Sequence, residues 1–123
     1  MNDPVREPPV AGAIFFLLAG PILWGGHLLA VYTFHAVACA AGGPWTTTII
    51  PGSIVVATLA AAGALLLAYA FPGKLAQVLR CADRGNDQPF LIRAGRLLTV
   101  LSLAGVLWTG SAALALAPCA QFR

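Results

Sequence analysis

His27, His35, Cys39 and Cys119 are the side chains of this sequence best suited to chemistry, with Cys81 standing apart from them. His35 precedes Cys39 by four residues, so on a helix the two share a face. With Cys119 they compose a soft nitrogen and sulfur donor set of the kind that takes Cu(I) or Zn(II), provided the thiols are reduced. The same two cysteines could instead join as a disulfide, if the backbone brings their Cα atoms within about 7 Å. His27 lies inside a long apolar stretch, where an ionisable group is costly and marks a functional candidate. Its bland role is a hydrogen bond to a neighbouring helix or partner subunit. Its sharper role, a haem ligand, usually needs a second histidine facing it from another helix. His27 and His35 share one helix, about 12 Å apart along it, so a homodimer or a second protein would have to complete such a site.

What is missing narrows the chemistry further. No Asp or Glu falls within the apolar stretches, which removes the usual carboxylate relay of a proton-coupled pump or transporter. No nucleophile stands with a base and an orienting group, no glycine loop is built to cradle phosphate, and no pair of carboxylates is poised for acid and base work. The expectation is a non-enzyme that binds no cofactor by itself.

The elements that must position these residues are set by composition. Of 123 residues, 59% are hydrophobic and 9% charged, whereas a soluble domain carries about 25% charged residues. A water-soluble core of this size could not hide so much apolar surface. A membrane helix needs about 20 apolar residues to cover roughly 30 Å of hydrocarbon. Three stretches satisfy this, at residues 10–41, 49–71 and 90–117, and predict an all-α membrane protein with three transmembrane helices. Gly20-Pro21 and Gly25-Gly26 should bend the first. Pro51 suits the first turn of the second, which ends at Pro72-Gly73. Pro118 stops the third.

A removable signal peptide fits poorly, because the leader 1–9 carries Asp3, Arg6 and Glu7 and the apolar run behind it is too long. Ala36-Val37-Ala38-Cys39 only loosely resembles a lipoprotein cleavage box. The seven basic residues form no dense patch, so nucleic acid is not an expected partner. Their placement speaks instead about orientation. The loop 42–48 has no charge and carries Trp45, while the segment 72–89 holds Lys74, Arg80 and Arg84, with Arg93 and Arg96 just beyond. The positive-inside rule therefore puts 72–89 and the N-terminal arm 1–9 in the cytoplasm, and the loop 42–48 and the tail 118–123 on the outer side. Within the basic segment Leu75, Val78 and Leu79 share a helical face, predicting a short interfacial helix before a turn at residues 83–87. This orientation places Cys81 inside as a free thiol and Cys39 and Cys119 outside. In the periplasm of a bacterial inner membrane a disulfide persists, so a Cys39–Cys119 bridge is the leading reading and the His35, Cys39, Cys119 metal set its rival.

Little hydrophobic force acts between helices in lipid, so small residues that permit close approach matter most. Ala57, Ala61 and Ala64 on the second span and Gly105 and Thr109 on the third supply such pairs. They serve internal packing, docking against a partner, or both.

The first span reads Gly20-Pro21-x-x-Trp24-x-x-His27-x-x-x-x-Tyr32, followed by Cys39, and Pro118-Cys119 closes the third. This pattern resembles a group of small three-helix membrane proteins that accompany bacterial haem-copper cytochrome c oxidases. The resemblance implies an accessory subunit or assembly partner of the respiratory chain, lodged among larger integral membrane subunits and lipid, with haem and copper held by those partners. It also implies that Trp24, His27 and Tyr32 pack against a larger subunit. Two other functions stay open: a copper- or zinc-handling assembly factor using His35, Cys39 and Cys119, and a small homo-oligomeric channel or transporter, for which no selectivity device is visible.

Overall fold

The computed structural model describes residues 10–78, 88–115 and 119. Among them are four helices and no strand: α1 (Val10–Ala41), α2 (Thr46–Ala70), α3 (Pro72–Val78) and α4 (Gln88–Ala115). Arg80, Cys81, Arg84, Pro118 and the segment 83–87 fall outside the described residues, so the turn expected there does too. α1, α2 and α4 are each long and apolar enough to cross a membrane. At 1.5 Å per residue the 32 residues of α1 extend about 48 Å, well beyond the hydrocarbon thickness.

Helix α1 runs unbroken through Pro21 and Gly25-Gly26. It stops where glycine lets the chain turn left. Gly42 (φ +67°) donates its N–H to the Ala38 carbonyl, the single bond of a left-handed helix cap. Gly43 follows at φ +112°, with the Trp45 indole lying where a β-carbon would stand. Thr46 then fastens the turn, its hydroxyl donating to the Gly43 carbonyl at 2.8 Å. That bond starts α2 at Thr46, three residues ahead of the apolar stretch, and so moves Pro51 out of the first turn and into the second. The Thr47 carbonyl thereby loses its helical donor, at the end of the helix closest to water, where such a loss is least costly. At the far end α2 yields at Phe71 because Pro72 disfavours a helical residue before it. α3 follows directly, has no buried residue, and places Lys74 Nζ 5.2 Å from the centre of the Phe71 ring.

The three long helices are apolar on every face, so packing follows side-chain size. On α4 the buried residues are Gly95, Thr99, Ser102, Val106 and Gly110, spaced four and three apart as in left-handed helix packing. On α2 they are Thr46, Ile50, Ile54, Ala62 and Leu65. α1 contributes Phe16, Gly20, His27 and Ala38. Phe16 lies over Gly95, Gly20 against the Leu98–Ser102 turn, and Trp24 over Gly105. α1 and α4 are therefore parallel, with facing residues about 80 positions apart at every level down to Cys39 and Cys119. α2 runs antiparallel to both.

Candidate functional site

Two polar features stand out among the described residues of the apolar bundle. The first is at mid-height, where α1, α2 and α4 meet. His27 is only 6% exposed, and its Nε2 stands 3.1 Å from the Thr58 hydroxyl. That hydroxyl has one proton, which it donates to the Ile54 carbonyl at 2.7 Å. Thr58 must then accept from His27, so the proton of the imidazole sits on Nε2 and Nδ1 is left as a bare acceptor. No partner reaches Nδ1 among the described residues. Gly110 of α4 closes the junction from behind, its α-carbon so near Thr58 that a β-carbon would come within 2.7 Å of the hydroxyl. Four other hydroxyls of the spans behave conventionally. Ser53, Thr99, Thr109 and Ser111 each donate to a carbonyl three or four residues back, the local solution for a hydroxyl in lipid.

The second feature is at the C-terminal end of α1. Cys39 and Cys119 stand at disulfide distance, with sulfurs 2.03 Å and Cα atoms 5.5 Å apart. Both pack against a small core of Ala38, Ile50 and Ile54, helped by Val31 and Ala113. Cys119 is held at φ +63°, a left-handed conformation that costs a non-glycine residue about 1–2 kcal/mol. His35 lies one turn before Cys39, with Nδ1 3.9 Å from its sulfur. With the two sulfurs at bonding distance, no group of three or more His, Cys, Asp or Glu among the described residues is arranged to hold a metal ion.

The remaining residues singled out from sequence divide into inward and outward. Trp24 is 38% exposed but lays its indole over Gly105, and His27 turns wholly into the bundle, so the contacts of both are made within the chain. Tyr32 is 72% exposed and faces outward. Ala57, Ala61 and Ala64 are half-buried, flanking the buried stripe of α2 rather than forming it. Ala57 lines an apolar cleft of about 220 Å³ between α1 and α2, together with Ala30, Val31, Phe34, Ser53 and Ile54. Thr109 is half-buried and returns its hydroxyl to its own helix. Lys74, Arg93 and Arg96 gather at the end of the bundle opposite the cysteines, and Arg96 lies 5.4 Å from the centre of the Tyr69 ring, tying α4 to α2 there.

Thr58, Gly95, Ser102 and Gly110 complete this picture and were not among the residues picked out by sequence. The four-and-three spacing of small residues from Gly95 to Gly110 is the signal that marks the α4 stripe. Thr58 carries no comparable signal, being one of several hydroxyls in apolar surroundings. The chain matches no family model, no curated protein and no solved structure.

Proposed function

We propose that this chain is a non-catalytic subunit of a larger membrane complex, docking through the outward faces of α1 and α2. The observation that carries this reading is the glycine pair Gly25-Gly26. It sits midway along α1, is exposed, and has nothing within 4 Å of where a side chain would project. The glycines of α4 are filled by Phe16, Trp24 and Thr58 of the same chain, whereas these two present bare backbone to the bilayer. Bare backbone at that depth suits close approach by a partner helix. Leu29 and Tyr32, exposed one to two turns further on, extend the same side.

The resemblance of the first span to oxidase-associated proteins supports a cytochrome c oxidase of a bacterial inner membrane as the complex, with haem and copper held by the larger subunits. Charge supports the orientation: Lys74, Arg93 and Arg96 lie at the end proposed to be cytoplasmic, where α3 rests at the interface. The cysteine end then faces the periplasm, where a Cys39–Cys119 bridge endures.

Gentle detergent extraction is the direct test. The expected result is co-purification with a haem-containing complex, lost on Gly26→Leu while the Cys39–Cys119 bridge still forms. A haem-free homo-oligomer with a continuous pore would overturn the reading. Orientation is checked by a membrane-impermeant thiol reagent on intact cells, which should label Cys39 and Cys119 only after reduction and leave Cys81 untouched.

A further inference from the structure

The geometry points to a second, reduced state of the cysteine end, in which Cys39, Cys119 and the His35 imidazole together bind one Cu(I) ion. Ligand spacing is the first argument. With metal–sulfur bonds of about 2.3 Å and metal–nitrogen bonds of about 2.0 Å, donor atoms on one trigonal or tetrahedral ion stand about 3.5–4 Å apart. His35 Nδ1 already lies 3.9 Å from the Cys39 sulfur. Once reduced, the Cys119 sulfur can join them through side-chain rotation alone, its Cα being 5.5 Å from that of Cys39.

Donor number and type then select the ion. Two thiolates and an imidazole form a soft set. Three soft donors suit Cu(I), whereas a structural zinc site takes four. All three residues are half-buried, open enough for a small ion to enter, and the apolar residues Ala38, Ile50 and Ile54 beneath the sulfurs keep the floor dry.

Entry to this state is a thiol–disulfide exchange with an external dithiol. The dithiol is oxidised to its own disulfide, while two electrons and two protons pass to Cys39 and Cys119. Binding then releases the two thiol protons as Cu(I) takes both thiolates. The bridge and the copper site are thus mutually exclusive, and the redox state of one sulfur pair selects between them.

The test uses full-length protein carrying Cys81→Ser, so that only the proposed thiols remain. It is purified in mild detergent, reduced with a trialkylphosphine, freed of reductant without air, and titrated against a coloured bicinchoninate complex of Cu(I). Uptake of one equivalent after reduction, against less than about one-tenth before it, is expected. Cys39→Ser and Cys119→Ser should each abolish that uptake. His35→Gln should weaken it at least about a hundredfold, since losing a ligand costs no less than losing a residue that supports one. A bridge that still forms in unreduced His35→Gln, seen as a mobility difference on a gel, shows that this variant folds. The assignment fails if the reduced Cys81→Ser protein withdraws no copper, if His35→Gln holds copper as tightly as its parent, or if Zn(II) alone outcompetes Cu(I). Copper uptake by the isolated chain is independent of lateral docking, so failure of either proposal is told apart from failure of the other.

Discussion

The seam between α1 and α4 and the seam between α1 and α2 are built on opposite plans. Along the first, large side chains of α1 meet glycines of α4, Phe16 over Gly95 and Trp24 over Gly105, and Gly20 is set so close that backbone meets backbone. Along the second, His27 and Thr58 make one hydrogen bond, Ala38 packs on Ile50 and Ile54 towards the cysteines, and the helices leave an apolar cleft at Ala57. Close packing in lipid rests on matched sizes, and a single polar contact cannot replace it. The first seam thus defines the bundle, while the second has room to adjust.

The largest test of this contrast is Gly20→Leu. Its β-carbon would fall 3.2 Å from the Leu98 carbonyl oxygen and 3.3 Å from the Thr99 α-carbon, which are backbone atoms that cannot swing aside. A loss of about 3 kcal/mol is expected in a denaturant titration of the detergent-solubilised protein. A loss no larger than that from an exposed α1 position would mean the seam is looser than its geometry. Next in size is the His27–Thr58 pair. A double-mutant cycle of His27→Ala and Thr58→Val should return a coupling of about 0.6–1.7 kcal/mol, the range for hydrogen bonds between membrane helices. Zero coupling would remove the one polar tie from the second seam.

Smaller again is the Arg96–Tyr69 contact, whose removal by Tyr69→Leu should cost about 0.5 kcal/mol. The smallest effect sharpens the comparison most. Ala57→Leu adds bulk to the cleft and should change stability by less than about 0.5 kcal/mol. A penalty equal to that of Gly20→Leu would show that both seams are equally tight.

Much of the architecture was legible from the chain alone. Apolar length announced helices fit to cross a membrane, and the position of the cysteines suggested that Cys39 and Cys119 could meet. The inner faces were not legible in the same way. A soluble helix betrays its buried side by hydrophobic period, but α1, α2 and α4 are apolar all round. Small residues were the only guide, and they led to Gly105 and Thr109 when the fully buried line runs one position aside, through Gly95, Thr99, Ser102, Val106 and Gly110. The same offset separates Ala61 and Ala64 from Ala62 and Leu65 on α2. Of the chosen residues Gly105 takes part in the packing, under Trp24, while Thr109 and the three alanines stand beside the buried line. Thr58 escaped notice because its role depends on His27, 31 residues earlier, and no local pattern connects the two.

The parallel pairing of α1 with α4 also fixes an order of events during synthesis. Thr58 follows His27 by 31 residues, whereas Cys119 follows Cys39 by 80. At roughly 5–20 residues per second, the hairpin of α1 and α2 waits in the bilayer several seconds before the last helix arrives. Through that interval Phe16, Gly20 and Trp24 face lipid, and only the loose seam exists to hold the hairpin together. Cys119 follows the whole of α4, so the covalent closure waits until that helix has been made. An unpaired Cys39 would mark a chain whose α4 has yet to dock, visible to any machinery that reads free thiols.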